Sequence, residues 1–327
     1  EALPYPPRDP RDENKRLIIG SPSHLAEVNH YIFGGRIDWR RPFRVLIAGG
    51  GTGDAAIMIA QQLVDAGAAA AEVVYLDLSQ TSRAIAEARA ATRQLKNIKF
   101  ITGSLLDVAR LALGPFDYID CCGVLHHLDD PDAGLAALAR VLAPQGGMGI
   151  MVYGALGRTG VYHVQEMLTA VGRDGDDAAT RLRLARRLLD QLPPTNWLKR
   201  NPFVTDHLAE GDAGLYDLLL HARDRAYTVD DVAALVQGAG LRLVSFIPSA
   251  RYEPASYLSD ASLLKRVAEL PPLARAALAE RLAGNIKTHT FYAVRADNAI
   301  QPATPDTFDV VPILLDDALA RGLKPNG

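Results

Sequence analysis

The sequence predicts an α/β fold, a mostly parallel doubly wound sheet covered by helices on both faces and carrying helical insertions. Three observations point there. Short apolar runs suited to buried strands recur at residues 45–48, 72–77, 98–103, 115–122 and 148–153. Helical segments fall between them, and the strand-helix alternation at this spacing is that of a parallel sheet. The first strand runs at once into Gly49-Gly50-Gly51-Thr52-Gly53, a turn almost without side chains that leads into a helix.

Composition bounds the reading. The chain has 327 residues, 48% hydrophobic and 22% charged, with a net charge of -3, enough to bury a sizeable core in one large domain or two. Without a basic excess, neither nucleic acid nor an anionic membrane surface is an expected partner. The longest apolar region, residues 55–76, is interrupted by Gln61, Gln62, Asp65, Gly67 and Glu72, which excludes a transmembrane helix there. No signal peptide is read ahead of it, although the sequence begins at Glu1 without a methionine and an upstream segment is allowed for. Two adjacent cysteines, Cys121 and Cys122, are poorly placed for a structural disulfide, so a reducing, cytoplasmic setting is expected.

Taken in order, residues 1–15 carry four prolines and mixed charges and read as an extended, weakly ordered arm. Leu25, Val28, Tyr31 and Ile32 have helical spacing, with Ser21 and Ser23 as candidate caps and Gly34-Gly35 as a stop; this cap helix completes an N-terminal region, residues 1–43. Its Tyr31 and His30 either face a ligand or pack in the core. Residues 44–153 form the core of the fold. Within it, the helix after the glycine turn covers residues 54–64, and the second strand ends in Asp77. In a parallel sheet that carboxylate sits beside the glycine turn and can accept hydrogen bonds from both hydroxyls of a ribose. Residues 81–92 form an alanine-rich helix, Ser104 and Leu105 follow the third strand, and Val124-Leu125-His126-His127-Leu128 follows the fourth. A helix with Leu135, Leu138 and Leu142 leads to the turn Pro144-Gln145-Gly146-Gly147 and the fifth strand. Ligands in such sheets bind outside the carboxyl ends of the strands, where these features gather. The unit reads as a nucleoside cradle, although Gly51-Thr52-Gly53-Asp54-Ala55-Ala56 also fits a dinucleotide fingerprint.

Four motifs in order decide between these. The glycine turn with its strand, Asp77-Leu78-Ser79, Val124-Leu125-His126-His127-Leu128 and Arg140-Val141-Leu142-Ala143-Pro144-Gln145-Gly146-Gly147 together resemble the class I S-adenosylmethionine-dependent methyltransferases, a Rossmann-like family. The resemblance implies S-adenosylmethionine as cofactor and a seven-stranded, mostly parallel sheet whose last strand is antiparallel. It places Gly49, Gly50, Gly51 and Gly53 along the methionine and ribose, Asp77 on the ribose hydroxyls with Leu78 beside it, Ser104 and Leu105 at the adenine, and Cys122 and Gly123 near the sulfonium. One position departs from the pattern: Ile47 stands where the family usually carries an acidic residue that orders water or binds the methionine amino group. The resemblance resumes over residues 226–296, with a helix at 228–235 capped by Thr228 and Asp231, a sixth strand at 241–247 and a seventh at 288–295.

Two helical inserts, residues 154–225 and 250–287, fall outside the shared pattern. The family often builds its acceptor site from the first of these positions and from the N-terminal helix. In the first insert Arg181, Arg183, Arg186 and Arg187 read as a solvated helix face, with a phosphate patch as the alternative. Arg158, Tyr162 and His163 leave the fifth strand at the site edge and are, with Tyr31, candidate acceptor contacts; a structural loop is the other reading. A sulfonium methyl is already activated, so catalysis needs the acceptor atom aligned and, where it bears a proton, a base. His127 is the favoured base, with His126 and Tyr153 as further candidates, against the alternative that either histidine packs or caps the next helix. His126, His127, Asp129 and Asp130 lack metal-site spacing, and no metal is expected. The resulting expectation is methyl transfer to an enclosed small organic acceptor; a protein or peptide methyltransferase and a non-catalytic binding module are the alternatives. The tail, residues 297–327, holds an amphipathic piece at 309–319 that docks on the body or on a second subunit of a homodimer.

Overall fold

The structure is a computed structural model and describes residues 4, 6–20, 22–209, 211–221 and 223–304. Its strands are β1 (Phe43–Ala48), β2 (Ala71–Asp77), β3 (Ile98–Thr102), β4 (Phe116–Cys122), β5 (Leu142–Gly154), β6 (Ala226–Tyr227), β7 (Leu241–Ile247) and β8 (Thr288–Arg295). Around them lie α1 (Leu25–Phe33), α2 (Asp54–Asp65), α3 (Gln80–Thr92), α4 (Pro131–Arg140), α5 (Val161–Val171) and α6 (Ala178–Gln191). The remaining helices are α7 (Trp197–Arg200), α8 (Asp206–Ala209), α9 (Gly211–Leu219), α10 (Val229–Gly238), α11 (Ala261–Ala268) and α12 (Pro272–Ala283).

The sheet runs β3-β2-β1-β4-β5-β8-β7, with β8 antiparallel to both neighbours and the strands from β3 to β5 parallel. The order reverses between β1 and β4, which opens a crevice at their carboxyl ends. The apolar runs fill both sides because successive side chains point to opposite faces. Val45, Ile47, Val73 and Tyr75 join α1 and α2 in one core, while Leu46, Ala48, Val74 and Leu76 join α4 and α10 in the other. A third apolar cluster belongs to the first insert alone, where Val161, Val164, Leu168, Ala185, Leu198 and Leu215 pack together. Among the described residues no helix is long and apolar enough to cross a membrane.

Several expectations change in detail. The sheet has an eighth strand, the two-residue β6, which pairs with β5 through Tyr153↔Ala226 and Gly154↔Tyr227 and is too short to leave a periodic signal. Pro144 to Gly147 is not a turn before the fifth strand; it lies within β5, where a register irregularity opposite Phe116 and Tyr118 absorbs it. Gly147 has a packing reason: a Cβ there would stand 2.6 Å from Ile32, so its absence lets α1 lie on the sheet. His24, rather than Ser23, caps α1, by accepting from the Ala26 N–H; Ser21 lies outside the described residues. The capping box at Thr228 and Asp231 forms as its spacing predicts.

The N-terminal arm is the largest correction. Residues Pro10–Asn14 form a 3-10 turn, and Glu13 is buried against Arg89 at 2.7 Å and against Arg93. Arg8 pairs with Asp54 at 2.6 Å, and Thr52 donates its hydroxyl to the Pro6 carbonyl at 2.9 Å. Composition alone marks these charges as solvated, but their partners lie on α2 and α3, far away in sequence. The tail piece at 309–319 lies outside the described residues.

Candidate active site

At the carboxyl ends of the parallel strands a cavity of about 580 Å³ opens, floored by the β1–α2 turn. Bare backbone is a steric requirement there. A Cβ on Gly49, whose φ is +81°, would meet Val124 at 2.3 Å, and one on Gly50 would meet the Tyr75 ring at the same distance. Tyr75 donates its hydroxyl to the Gly51 carbonyl at 2.6 Å and so braces the turn from β2. Asp77, at the end of β2, accepts from the Gly51 N–H at 2.8 Å and from the Ser79 N–H at 2.7 Å. Those two bonds fix the carboxylate against the mouth of the turn.

Of the residues the sequence nominates for the cofactor, Gly49, Gly50, Gly51, Asp77, Leu78, Ser104, Leu105, Cys122 and Gly123 share this one wall. Gly53 sits one step behind it, as the left-handed N-terminal cap of α2. The wall also carries Asp120, which is 2% exposed and stands directly across the β1–β4 ladder from Ile47. Ser23 donates its hydroxyl to Asp120 Oδ2 at 2.6 Å, tying the entry of α1 to the site. A carboxylate is therefore present beside Ile47, one strand over.

The opposite end of the cavity is built by His127, Tyr153, Asp217 and His221. His127 follows β4 in a 3-10 turn, Tyr153 ends β5, and Asp217 and His221 come from α9 and the segment just after it, inside the first insert. His127 Nδ1 lies 2.9 Å from the Arg223 carbonyl. A carbonyl only accepts, so Nδ1 carries the proton and Nε2 of the neutral ring keeps a lone pair. The rings of His127 and His221 lie 4.0 Å apart. Burial lowers the His127 pKa from its ordinary value, only partly opposed by its bond to the Arg223 carbonyl, which keeps the ring neutral. Tyr153 donates to Asp217 Oδ2 at 3.3 Å, and burial raises the Asp217 pKa from its ordinary value, opposed by His127, His221 and the Tyr153 hydroxyl.

The other nominated residues stand apart from the wall. His126 is 1% exposed, stacks on Tyr153 at 3.8 Å, and neither ring nitrogen has a hydrogen-bond partner among the described residues. Burial, aided by His127 and Arg158, pushes its pKa down to about 2, so it packs the site as a neutral ring. The Arg158 guanidinium covers Tyr153 at 3.7 Å; two groups this close to one ring occupy opposite faces, so Tyr153 is held between Arg158 and His126. Arg158 also pairs with the buried Asp224 at 2.7 Å, and Tyr162 lies within 3.3 Å of both. His163 is exposed on α5, and Tyr31 stacks on Tyr292 at 4.8 Å; neither reaches the cavity. Asp120, Asp217 and His221 are the site residues that sequence reasoning missed. Asp217 and His221 carried one available signal, an acid and a histidine four apart at the end of an insert.

Comparison with known proteins gives three findings. Residues 46–148 match the family described as methyltransferase domain. Over 300 residues the chain is 31% identical to the uncharacterized protein syc1184_c of Synechococcus sp., covering 90% of this chain and 70% of that protein. In fold it is similar to PKMT2 from Rickettsia typhi in complex with AdoHcy, with a TM-score of 0.67 and 17% identity over 88% of this chain and 55% of that one. The same Rickettsia protein without that ligand gives a TM-score of 0.66 at 16% identity, over 88% and 54%. The chain thus spans just over half the length of these solved chains.

Proposed function

We propose that this chain, which belongs to the class I S-adenosylmethionine-dependent methyltransferases, transfers a methyl group to a small organic acceptor held between His127, Tyr153 and Asp217. The observation that carries the reading is one cavity with two chemically different ends, a glycine floor with Asp77 at one and a neutral histidine with a defined tautomer at the other. Its volume of about 580 Å³ lies within the range that encloses a cofactor-sized ligand.

The residues present fit S-adenosylmethionine. Gly49, Gly50 and Gly51 line the cavity with bare backbone, and Asp77 offers acceptor oxygens where a ribose would meet the turn. Asp120 would hold the α-ammonium group, doing from β4 what an acid at position 47 would do from β1. The cofactor supplies a methyl group on a sulfonium, ready for in-line displacement. The chain's part is to hold the acceptor in line, exclude water and receive a proton on His127 Nε2. The two adjacent cysteines, Cys121 and Cys122, are in keeping with a reducing cytoplasmic setting.

A protein or peptide acceptor is the second reading. It is favoured by Trp197, Phe203 and Leu208 in the first insert, which are 58%, 51% and 75% exposed. The test is calorimetric titration with S-adenosylmethionine, S-adenosylhomocysteine and NAD, followed by labelled-methyl transfer to small-molecule and polypeptide pools. Micromolar binding of the adenosyl ligands alone, with label entering small molecules, is expected. Label confined to polypeptides would select the second reading, and NAD binding without adenosyl binding would overturn both. Asp77→Ala should weaken adenosyl binding roughly 10- to 100-fold, the cost of losing charge-assisted hydrogen bonds.

A further inference from the structure

The charge on the cavity wall says what kind of acceptor it takes. Four aspartates line it, Asp54, Asp77, Asp120 and Asp217, and among the described residues no lysine or arginine does. Asp54 is neutralised from behind by Arg8 and Arg89, both at 2.6 Å. Of the cations around the far end, Arg158 is paired with the buried Asp224 and lies over the Tyr153 ring, and Arg223 is paired with Asp129. Three carboxylates therefore remain to face a bound cofactor, whose sulfonium, ammonium and carboxylate would sum to a single positive charge. Asp77 and Asp120 stand at the glycine-turn end. Among the described residues Asp217 is the acid that lines the acceptor end, beside His127 and His221, while Asp224 is paired with Arg158. An anionic acceptor entering here would meet repulsion from Asp217 and no compensating cation, whereas a cation would relieve the excess.

We infer that the acceptor is an aliphatic amine that enters as its ammonium ion, with Asp217 as its counter-charge and His127 as the group that frees its lone pair. The inference rests on the methyltransferase reading above and narrows it. The step balances: the ammonium gives one proton to His127 Nε2, its lone pair forms the N–C bond to the methyl carbon, and the C–S bond breaks with its electron pair left on sulfur. The product is the N-methylammonium ion with a neutral thioether, and the imidazolium returns its proton to solvent. The ring of His221 lies 4.0 Å from that of His127. Asp217 binds and orients, and its carboxylate keeps a charge opposite the nitrogen until the proton leaves.

The test uses the protein saturated with S-adenosylhomocysteine and three probes of equal chain length, hexylamine, 1-hexanol and hexanoate, titrated calorimetrically. Saturable binding of hexylamine at least tenfold tighter than either other probe is expected, with the preference erased in Asp217→Asn. Equal or tighter binding of hexanoate or hexanol, no saturable amine binding, or a preference unchanged in Asp217→Asn would each overturn the inference. S-adenosylhomocysteine binding is measured first and separately. Its failure in the unaltered protein would sink the cofactor reading itself, and its retention in Asp217→Asn shows that the variant is folded. Should that variant fail to bind it, the probe ranking in the unaltered protein still decides.

Discussion

At the scale of single residues, the proposed chemistry divides between two side chains. His127 is defined by one hydrogen bond: the Arg223 carbonyl takes the Nδ1 proton and leaves Nε2 as the basic nitrogen. His127→Phe should lower kcat roughly 10²- to 10⁴-fold, the usual worth of a general base, while S-adenosylhomocysteine affinity stays unchanged. Burial lowers the His127 pKa, so the neutral, active form persists to lower pH than for an ordinary histidine. The acid limb of kcat/KM should accordingly fall with a midpoint below 6.5, and a midpoint above it would remove His127 as the base. Asp120 makes a different prediction. If it holds the ammonium of the cofactor, Asp120→Asn should weaken S-adenosylhomocysteine about tenfold or more and leave adenosine, which lacks the amino-acid part, unaffected. Equal losses for both ligands would mean that Asp120 supports the fold of the crevice instead.

At the scale of elements, the first insert completes the site. Its helices have their own apolar cluster, and α9 delivers Asp217 to the end of β5. The junction is fastened by Arg158 on Asp224, whose side chain is 1% exposed and also receives Gln165. Arg158→Met would leave that carboxylate buried without its cation, at a cost of about 3–5 kcal/mol. The double variant Arg158→Met with Asp224→Leu should recover most of the loss, because an apolar pair of similar size removes the unpaired charge. Denaturant unfolding of the singles and the double reads this directly. A double variant no more stable than Arg158→Met would show that the ion pair itself, and not the orphaned acid, carries the junction.

Across the whole molecule, the N-terminal segment connects parts of the chain that are remote in sequence. It runs past the glycine turn, where Pro6 and Gly20 line the cavity, and is pinned by Glu13 beneath α3. Arg89, 1% exposed, joins Glu13 to Asp54 and so links the arm, α3 and the start of α2 in one buried network. Glu13→Ala should therefore do two things together: lower stability by roughly 3–5 kcal/mol and speed S-adenosylhomocysteine release, because the strap over the cavity loses its anchor. Stopped-flow dissociation alongside denaturant unfolding checks both. A stability loss with unchanged release would confine the arm to a structural role.

The core of this fold was legible because buried strands and amphipathic helices write a periodic apolar pattern, and because a turn packed against Val124 and Tyr75 demands glycines that no other residue replaces. Residues 45–53, 72–77 and 116–123 hold strand, turn and wall within a few positions of one another, so local pattern and function coincide there. The acceptor end was not legible for the converse reason. Asp217 and His221 reach His127 only through the packing of the insert, and Asp120 takes its meaning from Ile47 across a ladder, not from its own neighbours. Arg158 and Tyr162, which sit close to the site in sequence, are drawn away by Asp224. Short-range spacing was enough to read the sheet and the cradle, and the resemblance of four motifs in order supplied the class of cofactor. Tertiary structure alone decided which charges face the cavity and which cancel in pairs behind it, since burial and partnership join residues far apart along the chain.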